Sequence, residues 1–163
     1  MSIIPIIKKY ESNKSIGKIL ITSSTLSSSN IIERMKFKKT IHQFYPIDHI
    51  FFSNKFLDYW KPSVAIFLES EIWPSMFKSL KKRNIPLILL NARITRKTFD
   101  RWSKISFFSQ SIFSLIDIAY PQNNETKIFL KKLNVGYIKK IGNLKYIDND
   151  DLKDNRIDKK LFS

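Results

Sequence analysis

Two carboxylates two positions apart, Glu69 and Glu71, follow the apolar run Val64-Ala65-Ile66-Phe67-Leu68 and lead through Ile72 and Trp73 into Pro74. The run reads as a buried strand, and Pro74 suits the first turn of a helix. In open α/β sheets ligands bind in the crevice beyond the carboxyl ends of the parallel strands. Carboxylates at such a strand end are not needed for folding and can do charge chemistry. A helix N-terminus also favours negative charge on its own account, and the pattern alone leaves both readings open. If extended geometry persists past Leu68, Glu69 and Glu71 point the same way.

Other residues fall at similar places. Asn91-Ala92-Arg93 lies just beyond the apolar run Leu87 to Leu90, and Lys145 follows Gly142-Asn143-Leu144 after a last run, Tyr137 to Ile141. A lysine at a parallel strand end faces the same rim as Glu69, although a solvated charge would look identical. The loop Ser23-Ser24-Thr25-Leu26-Ser27-Ser28-Ser29 follows the first run. Its hydroxyls could bind phosphate or sugar, or Ser24 and Thr25 could serve as ordinary helix caps. The loop holds no GxGxxG or Walker pattern. His42 and His49 are the only histidines and there is no cysteine, so no metal site is expected. No GxSxG elbow appears. Trp73 and Trp102 read as core residues.

The elements that position these residues alternate in type. Strands are predicted at Lys18 to Ser23, His42 to Tyr45, Val64 to Leu68, Leu87 to Leu90, Ile116 to Tyr120 and Tyr137 to Ile141. Helical patterns cover the N-terminus to about Tyr10, then Ile31 to Phe37, His49 to Trp60 with Asp48 as its cap, and Trp73 to Arg83. They continue through Thr95 to Ser103, Phe107 to Leu115 and a segment from Asn123 or Asn124 to Leu133. Strands interleaved with helices imply an α/β fold with a parallel sheet wound on both faces. After Tyr146 the chain turns polar to Ser163, as a linker would.

At 163 residues and 43% hydrophobic, the chain can bury the core of one ordinary domain. Its formal charge of +15 would draw it to polyanions such as acidic lipid headgroups, phosphorylated glycolipid or nucleic acid. No RRM, KH or helix-turn-helix pattern supports nucleic acid. No apolar segment approaches the roughly 18 residues that span a bilayer. Met1 to Ile7 lacks the features of a secretory signal.

Three segments together resemble one family, the bacterial 3-deoxy-D-manno-octulosonic acid (Kdo) transferases. They are Leu68-Glu69-Ser70-Glu71-Ile72-Trp73-Pro74-Ser75, then Arg83-Asn84-Ile85-Pro86-Leu87 through Asn91-Ala92-Arg93, then Ile141-Gly142-Asn143-Leu144-Lys145-Tyr146. His42-Gln43-Phe44-Tyr45-Pro46-Ile47-Asp48 and the Thr22 to Ser29 loop also match. The resemblance implies the N-terminal, Rossmann-like half of a GT-B glycosyltransferase. That half receives the lipid A precursor; the other half binds CMP-Kdo. Residues 1–146 would be an incomplete acceptor domain and 147–163 the start of the interdomain linker, with the CMP-Kdo domain absent.

By the same resemblance, Glu69 and Lys145 match positions that stabilise the transition state, Asn91 and Arg93 match cleft-lining, substrate-binding or structural positions, and Ser24 and Thr25 fall in the loop expected to contact substrate. No cofactor is implied, only the donor CMP-Kdo. The expected partners are the acidic glycolipid and the cytoplasmic face of the bacterial inner membrane. The family's general-base glutamate belongs to a Ser-Val-Gly-Glu type segment that would precede Met1. The chain alone is therefore expected to be inactive. The alternative is a non-catalytic module that binds anionic glycolipid or a membrane surface.

Overall fold

The computed structural model describes residues 3–139. The last predicted strand beyond Lys139, the Gly142 to Tyr146 segment with Lys145, and the linker from 147 onward lie outside the described residues. The described chain is α/β with parallel strands. It falls into two compact units, one within Met1–Pro46 and one within Ile47–Tyr146.

In the first unit, helix α1 (Ile4–Ser12) starts with Pro5 in its first turn, where a missing N–H is harmless. It is followed by β1 (Ile19–Ser23), α2 (Leu26–Arg34) and β2 (Thr40–Phe44). The two strands pair in parallel, Ile21 beside His42 and Ser23 beside Phe44. The Glu11 carboxylate ties α1 to β2. It accepts from the Lys38 and Lys39 N–H groups at 3.0 and 2.9 Å and from the Thr40 hydroxyl at 2.6 Å. Burial alone would raise the Glu11 pKa, but the Thr40 hydroxyl and the N–H groups of residues 38, 39 and 40 outweigh it and hold the group below its ordinary value.

The second unit runs α3 (Ile50–Trp60), β3 (Ala65–Leu68), α4 (Pro74–Lys82), β4 (Leu87–Ala92), α5 (Arg96–Ser103), α6 (Ser106–Phe113), β5 (Ile118–Pro121) and α7 (Asn124–Lys132). Its sheet has the order β3-β4-β5, all parallel. Tyr137 and Lys139 continue the ladder beside β5 through their hydrogen bonds to Ala119. Central β4 is buried along its whole length, as a strand flanked on both edges and covered by helices must be. Phe77 and Leu80 of α4, Ile112 and Phe113 of α6 and Leu130 of α7 are fully buried with Leu87 and Leu89. Their burial is the main stabilising term, at about 1.5–3 kcal/mol for each large apolar side chain.

One expected cap is placed differently. Asp48 does not cap α3. The His49 ring does, its Nδ1 accepting the Phe51 N–H at 3.3 Å. The Asp48 carboxylate reaches the start of α4 instead, accepting the Ser75 and Met76 N–H groups at 3.3 and 3.1 Å. Helix α4 has no side-chain cap of its own, because Trp73 stands at its cap position, so the orphan donors there take an acceptor from elsewhere.

Candidate functional site

The strand geometry does not persist into Glu69. Strand β3 ends at Leu68, and Glu69 is left-handed with φ 55°, a strained setting for a residue that is neither glycine nor asparagine. The Glu71 N–H turns back to the Leu68 carbonyl at 3.0 Å, so the backbone turns here and does not run on extended. Glu71 is exposed and accepts a hydrogen bond from the Trp73 indole at 2.8 Å. Glu69 is half-buried at the end of the strand.

The neighbouring strand end is irregular in step with it. Leu89 pairs with Ala119 and Ala92 with Pro121, so Leu90 and Asn91 together stand opposite Tyr120 alone. This is a one-residue bulge. Asn91 lies within it and is left-handed, with φ 52°. Its side chain is 2% exposed, and neither amide atom has a hydrogen-bond partner among the described residues. A buried amide without partners is unusual and calls for a reason.

Three hydrogen bonds lock the two ends together. The Glu69 N–H donates to the Leu90 carbonyl at 3.0 Å, and the Arg93 N–H donates to the Glu69 carbonyl at 3.1 Å. The Ser70 hydroxyl donates to the Arg93 carbonyl at 2.6 Å. Arg93 itself is exposed. Just past it, buried Thr126 of α7 holds Ile94, its hydroxyl accepting the Ile94 N–H at 3.3 Å. Thus Glu69, Asn91 and Arg93 come together at the carboxyl end of β3 and β4, where one carboxylate and one guanidinium offer charges of opposite sign. At the end of β5, burial first and the nearby Tyr137 second push the Tyr120 hydroxyl pKa up.

Ser24 and Thr25 lie in the first unit. Thr25 caps α2, its hydroxyl accepting the Ser28 N–H at 3.3 Å. Ser24 is exposed in the preceding turn. Beside them, Ser23 and His42 make a hydrogen bond of 2.9 Å between Oγ and Nε2, a pairing that only the strand register reveals. Trp102 is half-buried, edge-on to Phe113. Lys145 lies outside the described residues. Among the described residues no cluster of histidine, aspartate and glutamate is placed to hold a metal ion, and no helix is long and apolar enough to cross a membrane.

A parallel α/β framework with charged residues at the strand ends defines a Rossmann-like unit of the kind found in glycosyltransferase N-terminal halves. Residues 1–147 match the family of 3-deoxy-D-manno-octulosonic-acid transferases (kdotransferases), and the chain belongs to that family. It is 36% identical over 129 residues to the 3-deoxy-D-manno-octulosonic acid transferase of Rickettsia felis, covering 79% of this chain and 28% of the relative. It is 39% identical over 103 residues to a probable mitochondrial 3-deoxy-D-manno-octulosonic acid transferase of Arabidopsis thaliana, covering 63% and 23%. The transferase of Haemophilus influenzae is 27% identical over 146 residues, covering 87% and 34%. The chain thus spans about a third or less of the length of these relatives.

Proposed function

We propose that these residues form the acceptor-receiving part of a metal-independent, inverting glycosyltransferase that moves Kdo from CMP-Kdo to the lipid A precursor, lipid IVA, during lipopolysaccharide synthesis. Family membership is the observation that carries the reading, and it speaks for the transferase class. The work is assigned to the cytoplasmic face of the bacterial inner membrane. The +15 formal charge suits an acceptor that bears phosphates.

In this reading the acceptor hydroxyl attacks the anomeric carbon of Kdo as the bond to CMP breaks. Glu69 would face positive charge developing on the sugar, and Lys145 would face negative charge on the departing phosphate. Fixed charges of this kind act by electrostatic stabilisation of the transition state. Arg93, which is exposed, would meet the acceptor, and buried Asn91 would shape the strand end behind it. Within the first unit, Ser24 and Thr25 would be candidates by themselves for contact with sugar or phosphate. The chemistry calls for no cofactor beyond the donor. The donor would be bound by a separate nucleotide-binding domain, and the general base, worth roughly 10²–10⁴-fold in rate, would come from outside the present residues.

The same charge supports a second reading, a module that binds anionic glycolipid or membrane without catalysis. The test is to mix the purified chain with detergent-dispersed lipid IVA and CMP-Kdo. Binding would be followed by calorimetry and product by mass spectrometry. Binding without any mass increase is expected of the chain alone. Addition of Kdo would overturn its inactivity, and absence of lipid IVA binding would overturn the acceptor assignment. Equal binding to vesicles of unrelated anionic lipid would favour the second reading.

A further inference from the structure

In a regular parallel ladder, a residue that donates to one carbonyl accepts from the N–H two residues further along the same neighbour. Glu69 donates to Leu90, so Ala92 would be its regular donor. Arg93 donates instead. The displacement is one residue, the same as the shift between Leu89 and Ala92 against β5. One extra residue in β4 therefore changes the pairing on both of its edges, and Asn91 is the left-handed residue at that point.

The side chain of Asn91 makes no hydrogen bond to the surrounding described residues, so such a bond does not explain an amide in the core. Asparagine shares with aspartate a tolerance of the left-handed region that other side chains of its size lack, and it brings no charge into the core.

We propose that Asn91 is a positioning residue for Glu69: its left-handed backbone makes the bulge that brings the Arg93 N–H, rather than that of Ala92, onto the Glu69 carbonyl. That contact, with the Ser70 hydroxyl on the Arg93 carbonyl, fixes the turn from which the Glu69 carboxylate projects. The role of that carboxylate rests on the transferase reading above; the positioning itself does not.

The test is amide hydrogen exchange on the full 163-residue chain and on Asn91→Ala and Asn91→Gly variants, comparing the Arg93 N–H with the Leu89 N–H ahead of the bulge. Asn91→Ala is expected to speed Arg93 exchange relative to Leu89 by about tenfold, because alanine resists the left-handed conformation. Asn91→Gly is expected to restore Arg93 protection, because glycine adopts it freely. A side chain that merely fills volume would give the reverse order, since glycine leaves the larger void. Unchanged Arg93 exchange in the alanine variant, or loss of protection in the glycine variant, overturns the proposal. If the alanine variant does not fold, the glycine variant decides alone by the same criterion. No substrate is needed, so failure here is separate from failure to bind lipid IVA.

Discussion

The Asp48 carboxylate caps a helix well beyond its own, its Oδ1 accepting the N–H of Met76, 28 residues further along the chain, at 3.1 Å. The Ser75 hydroxyl answers by donating to the Asp48 carbonyl at 3.3 Å. The start of α3 is thereby fastened to the start of α4, the helix that follows the Glu69 turn.

Asp48→Ala should destabilise the second unit by about 0.5–2 kcal/mol, the range for loss of a helix cap. Asp48→Asn should recover most of this, because an amide oxygen still accepts. Urea unfolding of the three proteins checks it. An alanine variant as stable as the parent would mean that water serves α4 equally well.

Glu69 occupies a conformation that opposes its own side chain, at φ 55°. Glu69→Gly should therefore leave stability unchanged or raise it by up to about 1 kcal/mol, the strain of a left-handed L-residue less the added freedom of glycine in the unfolded chain. In a complete transferase the same substitution should abolish turnover. A clear loss of stability in thermal melts would instead make the carboxylate a structural group.

The Glu11 carboxylate is held below its ordinary pKa by donors from residues 38 to 40. A carboxylate lowered on folding stabilises the native state above its unfolded pKa and loses that contribution as pH falls through the folded value. The first unit should thus weaken progressively as pH drops below about 4.5, the reference value for glutamate. Glu11→Gln should flatten that part of the pH–stability curve. An equally steep acid limb in the variant would place the titration elsewhere.

Much of the fold was legible because apolar periodicity is a local property. The runs at Leu87 to Leu90 and Val64 to Leu68 became strands β4 and β3 nearly as written, and Thr95 and Asn123 cap the helices that follow them. The site was legible as residues but not as geometry. Nothing local to Glu69 announces a left-handed turn, since the hydrogen bonds that hold it come from Leu90 and Arg93, more than twenty residues away. By sequence position alone Asp48 is a cap for the helix beside it. The unmet need lay at α4, where Trp73 offers no side-chain acceptor, and His49 had already satisfied α3. The Asn91 bulge was hidden because one extra residue leaves the apolar pattern of β4 intact.

The chain has only three glycines, and among the described residues its left-handed corners include Lys36 at φ 47° and Lys61 at φ 44°. Both lysines are exposed, and exposed connections are where proteases enter a folded domain. The chain has in effect placed trypsin's preferred residue at two of its own bends. The bends differ in one respect, because Lys61 is followed by Pro62 and Lys36 by Phe37. A peptide bond before proline resists trypsin, so brief digestion of the native protein should sever the connection between α2 and β2 and pass over the one between α3 and β3.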